Sequence, residues 1–283
     1  MNGLGLELLV AKIVVSAGIV IAVTAAAERL GPRVGGLIAA TPQLSVVALI
    51  FFSLEQGRAF AAESAFWSIP GTCATIPVYL AYLAATRRLR SPRLASIAAG
   101  GLAGIAAFAV SAGLLGMLSI ARALVVPFAA LVCLITARLV RRLPDTAPLE
   151  RVRASPGLLA VRAGVSAAMV IGITSVAHLL GPRWSGLVAG FPVNSLPVIA
   201  ILHYNYGRET IRPMVKLWPA GAFGICLFNL VAWLTTERLG VTATVALGYA
   251  VDVLYLVAVS RFLRGGRRRL DTLPAGLDHR PGG

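Results

Sequence analysis

Acidic side chains are scarce in this chain, since only 11 of its 283 residues are Asp or Glu, against 26 Lys or Arg. Charged residues of both signs make up 13% of the sequence and hydrophobic residues 58%. A soluble domain of this size could not bury so large an apolar excess. Lipid is the expected solvent, and because helices satisfy their own backbone groups there, the composition predicts an all-α integral membrane protein.

Metal-binding, catalytic and nucleic-acid motifs are also lacking. Cys73, Cys133 and Cys226 lie inside apolar runs without metal-ligand spacing, and we interpret them as small core residues. No nucleophile elbow, glycine-rich phosphate loop, zinc-binding His/Glu spacing or pair of carboxylates on one span occurs. Aromatic residues do not alternate with basic ones. We therefore predict no enzyme, no cofactor, no metal and no nucleic-acid partner, and expect membrane lipid and a small solute as partners.

Apolar runs long enough to cross a bilayer can be counted directly, because about 20 helical residues cover roughly 30 Å of hydrocarbon. The count predicts about nine transmembrane helices, at 8–27, 34–54, 66–85, 94–112, 120–137, 158–179, 185–202, 216–235 and 241–262. One helix over 94–140 would be too long, so we expect a turn at Gly113, Gly116 and Ser119. With nine spans, 21 of the 26 basic residues fall on the side of the C-terminus. This asymmetry predicts a multi-pass protein of the inner or plasma membrane, N-terminus outside and C-terminus cytoplasmic.

Two copies of one unit follow each other at an offset of 150 residues, and twelve of 32 positions from Ala27 to Arg58 recur without a gap. The recurring residues include Gly31-Pro32-Arg33 with Gly181-Pro182-Arg183, and Pro42 with Pro192. Five spans between equivalent points would place the copies antiparallel, so we predict a 4+1+4 inverted-topology repeat. Its parts are a first repeat at 1–113, a connector helix and loop at 114–155, a second repeat at 156–263 and a disordered cytoplasmic tail at 264–283.

The second copy carries Ser185-Gly186-Leu187, Phe191-Pro192, the run Ile201-Leu202-His203-Tyr204 and the loop Gly207-Arg208-Glu209. This pattern resembles the GlpM-type small inner-membrane proteins. The first copy departs from it, with Thr41-Pro42 for Phe-Pro and Ser53-Leu54 for His-Tyr. The resemblance implies a four-span unit for each half and a link to glycerol metabolism without a defined activity. Small multidrug resistance transporters offer a fold-level analogy without a shared motif.

Pro42 and Pro192 should kink or interrupt spans two and seven near the bilayer midplane, because proline removes a helical hydrogen bond and clashes with the preceding turn. Small polar side chains accompany both prolines, and they are our candidates for substrate or ion binding: Thr41, Gln43, Ser45, Asn194 and Ser195. The alternative is that the prolines only shape the bundle and the polar groups bond to neighbouring helices.

Asp252 lies at the centre of span nine, where burying a carboxylate costs at least about 2.5 kcal/mol. It is a candidate for proton coupling or for binding a cationic group, and Tyr255 is a further candidate for substrate or ion binding. Structural pairing with Asn229, Asn194 or Tyr255 is the alternative. Leu102 occupies the equivalent position of the first copy.

Three further residues lie near the ends of spans two and seven. His203 and Asn205 are gate candidates at the cytoplasmic end, and Glu55 is the matching candidate outside. Interfacial capping is the alternative for all three.

Taken together, these patterns favour a secondary transporter of a small organic or amphipathic solute that works by alternating access with proton or cation coupling. The alternative is a non-transporting accessory, scaffold or lipid-interacting membrane protein. We expect a transporter to show a polar cavity that reaches both prolines and Asp252, and an accessory protein to show a dry core with Asp252 fully paired.

Overall fold

The structure, a computed structural model, describes residues 3–29, 41–88, 92–143, 156–193 and 195–271. These ranges are helical and contain no strand, which confirms the all-α class. Short 3-10 helices occur at Arg122–Leu124 and Arg208–Ile211. The α-helices are α1 (Gly3–Arg29), α2 (Gln43–Gln56), α3 (Arg58–Cys73), α4 (Ile76–Arg88), α5 (Arg93–Met117), α6 (Val125–Val140), α7 (Pro156–Ala189), α8 (Ser195–Tyr206) and α9 (Arg212–Asp271).

Several of the described helices are long and apolar enough to cross a membrane, as the composition predicts. Five such stretches occur in the described part of the chain: Arg58–Arg87, Arg93–Met117, Arg122–Val140, Leu159–Ala189 and Arg208–Arg261. The first of them joins α3 and α4 across a short turn at Ala74 and Thr75. α2 is also apolar but shorter.

Two glycines break the longest helices. Gly181 in α7 has φ 70° and Gly240 in α9 has φ 76°, values that side-chain-bearing residues rarely adopt. At Gly240 the chain folds back on itself, since the Thr235 and Thr244 hydroxyls lie 2.9 Å apart and the Phe228 and Tyr249 rings 5.7 Å apart. α9 is therefore a hairpin of a first arm (212–239) and a second arm (241–271).

α4 and α5 form a second antiparallel hairpin. The Ser111 hydroxyl on α5 donates to the carbonyl of Ala74, just before α4, over 3.1 Å. Nearer the other end, a side chain at Gly100 would collide with the Tyr82 ring. The buried face of α5 carries mostly small residues four positions apart, which lets the two helices pack closely: Ser96, Gly100, Gly104, Phe108, Ala112 and Gly116.

The turn between the fourth and fifth predicted spans lies later than predicted. α5 continues through Gly113 and Gly116 to Met117, so the prediction is wrong for these two glycines, whereas Ser119 does lie in the non-helical connection. Gly116 is helical because of packing, since a side chain there would collide with the ring of Trp184.

α3 is the central helix of the bundle. Almost every residue from Ala61 to Cys73 is buried, and the helix packs against α2, α6, α7 and α9. Its closest neighbour is α7, where side chains added at Gly186 or Gly190 would collide with the α3 backbone at Ser64 and Gly71 respectively. The Ser68 hydroxyl, 3.0 Å from the Gly186 carbonyl oxygen, donates a hydrogen bond across this crossing.

Large apolar side chains cover the outer helices and face away from the core. Leu102 is 69% exposed, Leu114 62% and Met117 79% on α5, and Leu131 on α6 is 55% exposed. So much apolar surface is unfavourable in water and suits contact with lipid.

Because α3 and α7 cross so closely, adding one methyl group at the crossing should strongly reduce the stability of the protein. Gly186→Ala should lower the free energy of unfolding by about 1–3 kcal/mol, because the backbone of α3 must move to admit the new side chain. Gly172→Ala on the same helix is the matched control, since nothing lies within 4 Å of its added carbon. Unfolding in mixed micelles with increasing denaturing detergent measures both, and equal stabilities of the two variants would contradict the prediction.

Candidate functional site

Both predicted prolines lie outside helices and each precedes a short one. The carbonyl of Pro42 accepts a hydrogen bond from the Val46 N–H at the start of α2, over 3.0 Å. The carbonyl of Pro192 accepts from the Leu196 N–H at the start of α8, over 3.2 Å. We call Thr41 and Pro42 the first break, and residues 190–193 after α7 the second break.

A cavity of about 350 Å³ lies between the two breaks, and we call it the central cavity. Besides the breaks, α2, α3, α8 and the first arm of α9 contribute to it. The lining comprises Thr41, Pro42, Gln43, Leu44, Ser45, Thr72, Ala189, Gly190, Phe191, Pro192, Val193, Ser195, Val198, Met214, Leu217, Trp218, Gly221 and Ile225. None of these residues is charged, so the wall consists of apolar surface with a few hydroxyl and amide groups.

An aromatic pair fixes one wall of the central cavity. The Tyr79 hydroxyl lies 2.6 Å from the Ser195 hydroxyl, and the Tyr79 ring centroid lies 4.8 Å from that of Trp218. The indole N–H of Trp218 donates to the Thr75 hydroxyl over 2.9 Å. Because both polar ends are bonded to neighbouring helices, Ser195 and Trp218 are held in defined orientations toward the cavity.

The side-chain amide of Asn229 connects Ser45 of the cavity lining to α9. The side-chain N–H of Asn229 donates to the Ser45 hydroxyl over 3.3 Å and to the Ile225 carbonyl over 3.0 Å. Asn229 is thus engaged with the cavity lining, and the alternative in which it pairs with Asp252 is not what the structure shows.

The structure gathers most of the predicted binding residues. Thr41, Gln43, Ser45 and Ser195 line the central cavity together with both prolines, and the Thr41 side chain also hydrogen-bonds that of Tyr249. Asn194 lies outside the described residues. Tyr255 is not in the lining, and its ring packs edge-on against Phe223 at 5.5 Å.

Asp252 is fully buried but does not line the central cavity. Within the described ranges, neither of its carboxylate oxygens has a hydrogen-bond partner. It faces Gly224 of the first arm so closely that a side chain at Gly224 would collide with Oδ1. The predicted polar cavity that reaches both prolines and Asp252 is therefore not found as such, since the central cavity reaches the prolines but not Asp252 and its wall is mainly apolar.

The three gate candidates have different surroundings. His203 is 5% exposed, and its Nδ1 lies 3.0 Å from the Tyr82 hydroxyl, so it belongs to the interior of the bundle. Asn205 is exposed. Glu55 forms an ion pair of 2.8 Å with Lys12 of α1, and both side chains are largely buried.

Sequence reasoning overlooked the aromatic residues that order the site. Thr75, Tyr79, Tyr82 and Thr86 recur at intervals of four, three and four residues, which places the last three on one face of α4 with Thr75 in the turn before it. That stripe was a usable signal, because a Tyr hydroxyl lies too far from the carbonyls of its own helix to bond them and needs a partner on a neighbouring helix.

The three cysteines meet in space although they are far apart in sequence. All are buried and free, the Cys226 thiol donates to the Ile69 carbonyl over 3.8 Å, and the three side chains interact electrostatically with one another. The part of the chain that the structure describes holds no group of His, Cys, Asp and Glu arranged for a metal ion.

No family model, curated protein or solved structure matches the chain. The resemblance to GlpM-type proteins therefore stays a prediction, and a proposal about function has to rest on the geometry of the site.

His203 should make stability depend on pH. It lies outside the five membrane-length stretches, and burial, followed by the charges of Arg208 and Arg93, lowers its pKa below the ordinary value of 6.5. Below that pH the unfolded chain binds more protons than the folded protein, so stability should fall as the pH is lowered. We expect His203→Gln to reduce this loss, as measured by unfolding between about pH 7.5 and about pH 5.5.

His178→Gln is the control for this experiment, because His178 is exposed. An unchanged pH dependence in His203→Gln would show that other groups cause the loss.

Proposed function

We propose that this protein is a secondary transporter that moves a small organic or amphipathic solute by alternating access. The observation that carries the proposal is the central cavity, which lies between two helix breaks from equivalent positions of the two sequence copies. Broken helices that meet at a cavity are a recurring way to build a solute site within a membrane, because the cavity receives the backbone groups that a break exposes.

Repeated backbone features support an inverted repeat in this proposal. Gly57 and Gly207, 150 positions apart, end α2 and α8 with φ 92°, ψ 164° and φ 89°, ψ 168°. The α4/α5 hairpin and the two arms of α9 also follow these glycines in the same order. We infer nine spans in a 4+1+4 arrangement in the inner or plasma membrane, with the N-terminus outside and the C-terminus cytoplasmic, as the distribution of basic residues favours.

The chemistry of the lining supports an uncharged or amphipathic solute. A permanent charge inside the central cavity would find no charged partner among its lining residues, and an unpaired charge in such surroundings costs several kcal/mol. Ser45, Thr72 and Ser195 offer hydroxyl groups, and Phe191 and Trp218 offer aromatic surface. The volume of about 350 Å³ lies at the lower end of small-molecule sites.

Transport can be tested by filling the central cavity. In proteoliposomes offered glycerol, a neutral aromatic alcohol, an amphipathic cation and benzoate in turn, we expect uptake of a neutral or amphipathic compound. Val198→Trp should lower that uptake by about tenfold or more, because the indole occupies space the solute needs. Leu102→Trp on the exposed face of α5 is the control and should transport normally.

Absence of uptake for every compound would favour the accessory or lipid-interacting alternative. Equal uptake by the two tryptophan variants would remove the central cavity from the pathway.

The inverted arrangement predicts which side of the membrane each turn faces. Ala59→Cys and Tyr206→Cys, both at exposed positions beside Gly57 and Gly207, should react with a membrane-impermeant maleimide from opposite sides. The native cysteines are buried, so the unmodified protein measures the background. Labelling of both variants from the same side would contradict the inverted repeat.

A further inference from the structure

Asp252 has no partner among the described residues that could stabilise a negative charge. It has no exposed surface, and neither carboxylate oxygen is hydrogen-bonded within the described ranges. No Lys, Arg or His among the described residues interacts with it electrostatically. The titratable groups around it are Tyr249 and Tyr255 on its own arm, with Cys226 of the first arm and Cys133 of α6 beyond Tyr255.

Two glycines shape the space around Asp252. Gly224 on the first arm leaves room for the carboxyl group, since any side chain there would collide with Oδ1. On the second arm, Gly248 leaves room for the Phe228 ring in the same way. The carboxyl group therefore packs closely between the two arms and lies outside the central cavity, a position that does not suit an organic cation.

A metal cation does not suit this site either. Hard cations such as Na⁺ or Ca²⁺ require several oxygen ligands, and Asp252 belongs to no group of metal-ligating side chains among the described residues. A proton requires only the carboxylate itself, and it removes the charge whose burial is unfavourable. Of the two roles that the sequence left open for Asp252, proton binding is the one that fits its surroundings.

Tyr249 connects this site to the central cavity. It lies one helical turn before Asp252 and interacts with it electrostatically, and its side chain hydrogen-bonds that of Thr41 in the first break. Thr41 lines the central cavity. A change of charge on Asp252 therefore acts through Tyr249 on Thr41, the residue that precedes Pro42.

We propose that Asp252 is a proton-binding site outside the central cavity, coupled to the first break through Tyr249 and Thr41. The carboxylate takes up one proton from water on one side of the membrane and releases it to the other, and no other bond changes. The role in coupling rests on the proposed transport function, whereas the site itself does not.

Infrared spectroscopy of the purified full-length protein in lipid nanodiscs tests the site without any solute. The chain has four aspartates, Asp145, Asp252, Asp271 and Asp278, and only Asp252 lies within an apolar span. With aspartate carrying ¹³C at the side-chain carboxyl, a protonated-acid carbonyl band that shifts with the label should persist at neutral pH, where exposed aspartates are ionised. It should disappear in Asp252→Asn. Absence of the band in the labelled wild-type protein, or its persistence in Asp252→Asn, would overturn the proposal.

A second pair of variants keeps the test valid if Asp252→Asn does not fold. Gly224→Ala should shift or abolish the acid band, because its methyl group displaces the carboxyl group. Gly101→Ala, whose added carbon meets nothing within 4 Å, should leave the band unchanged. An identical band in both glycine variants would show that the protonated acid lies elsewhere.

The connection to the cavity is tested with Trp218 as reporter, after Trp67, Trp184 and Trp233 are changed to Phe. Its fluorescence should change over the pH range in which the acid band is lost, and Tyr249→Phe should abolish that change. A persistent change in Tyr249→Phe would overturn the coupling route. If the protein takes up a solute but shows no acid band, the proton-binding site is refuted and the transport function stands. If it shows the acid band but takes up none of the compounds, the transport function is refuted and the proton-binding site stands.

Discussion

The close crossing of α3 and α7 is the contact on which the rest of the structure depends. At Gly71, Gly186 and Gly190 the two helices approach backbone to backbone, with no room for a methyl group between them. In lipid the hydrophobic effect does not drive helices together, so close packing and hydrogen bonds such as that from Ser68 to Gly186 must hold them. The second break begins where this crossing ends, since Gly190 lies against Gly71 and Thr72.

The crossing also explains where the central cavity lies. Thr72 reaches the cavity from α3, and Gly190 and Phe191 reach it from the end of α7. Because α3 is also packed against α2 and α9, the first break and the first arm meet the second break at the same place. The ion pairs of Lys12 with Glu55 and of Arg122 with Glu63 include no residue of the cavity lining. The lining itself contains no charged residue.

Many polar groups in the core are hydrogen-bonded to neighbouring residues. The Ser68 and Thr72 hydroxyls donate to carbonyls one turn earlier on α3, and Tyr79 and Asn229 bond to side chains of other helices. The Asp252 carboxylate has no such partner in the described ranges, and neither do the buried hydroxyls of Ser16, Ser64 and Ser185. Of these groups only the carboxyl group gains or loses a charge near neutral pH, so its burial marks a residue whose protonation can change during function.

The sequence by itself determined the class of protein, the non-helical position of each proline, the duplication within the sequence, and the burial of one carboxylate. These follow from local rules, because apolar runs, proline and glycine act on the segment that contains them. It did not determine that α5 continues through Gly113 and Gly116, of which only Gly116 packs against Trp184. Nor did it show that the Asn229 side chain bonds to Ser45, or that the Asp252 carboxyl group packs against Gly224. In lipid, apolar residues surround each helix on all sides, so hydrophobic periodicity does not reveal the inward face, and only the tertiary contacts decide which polar groups meet.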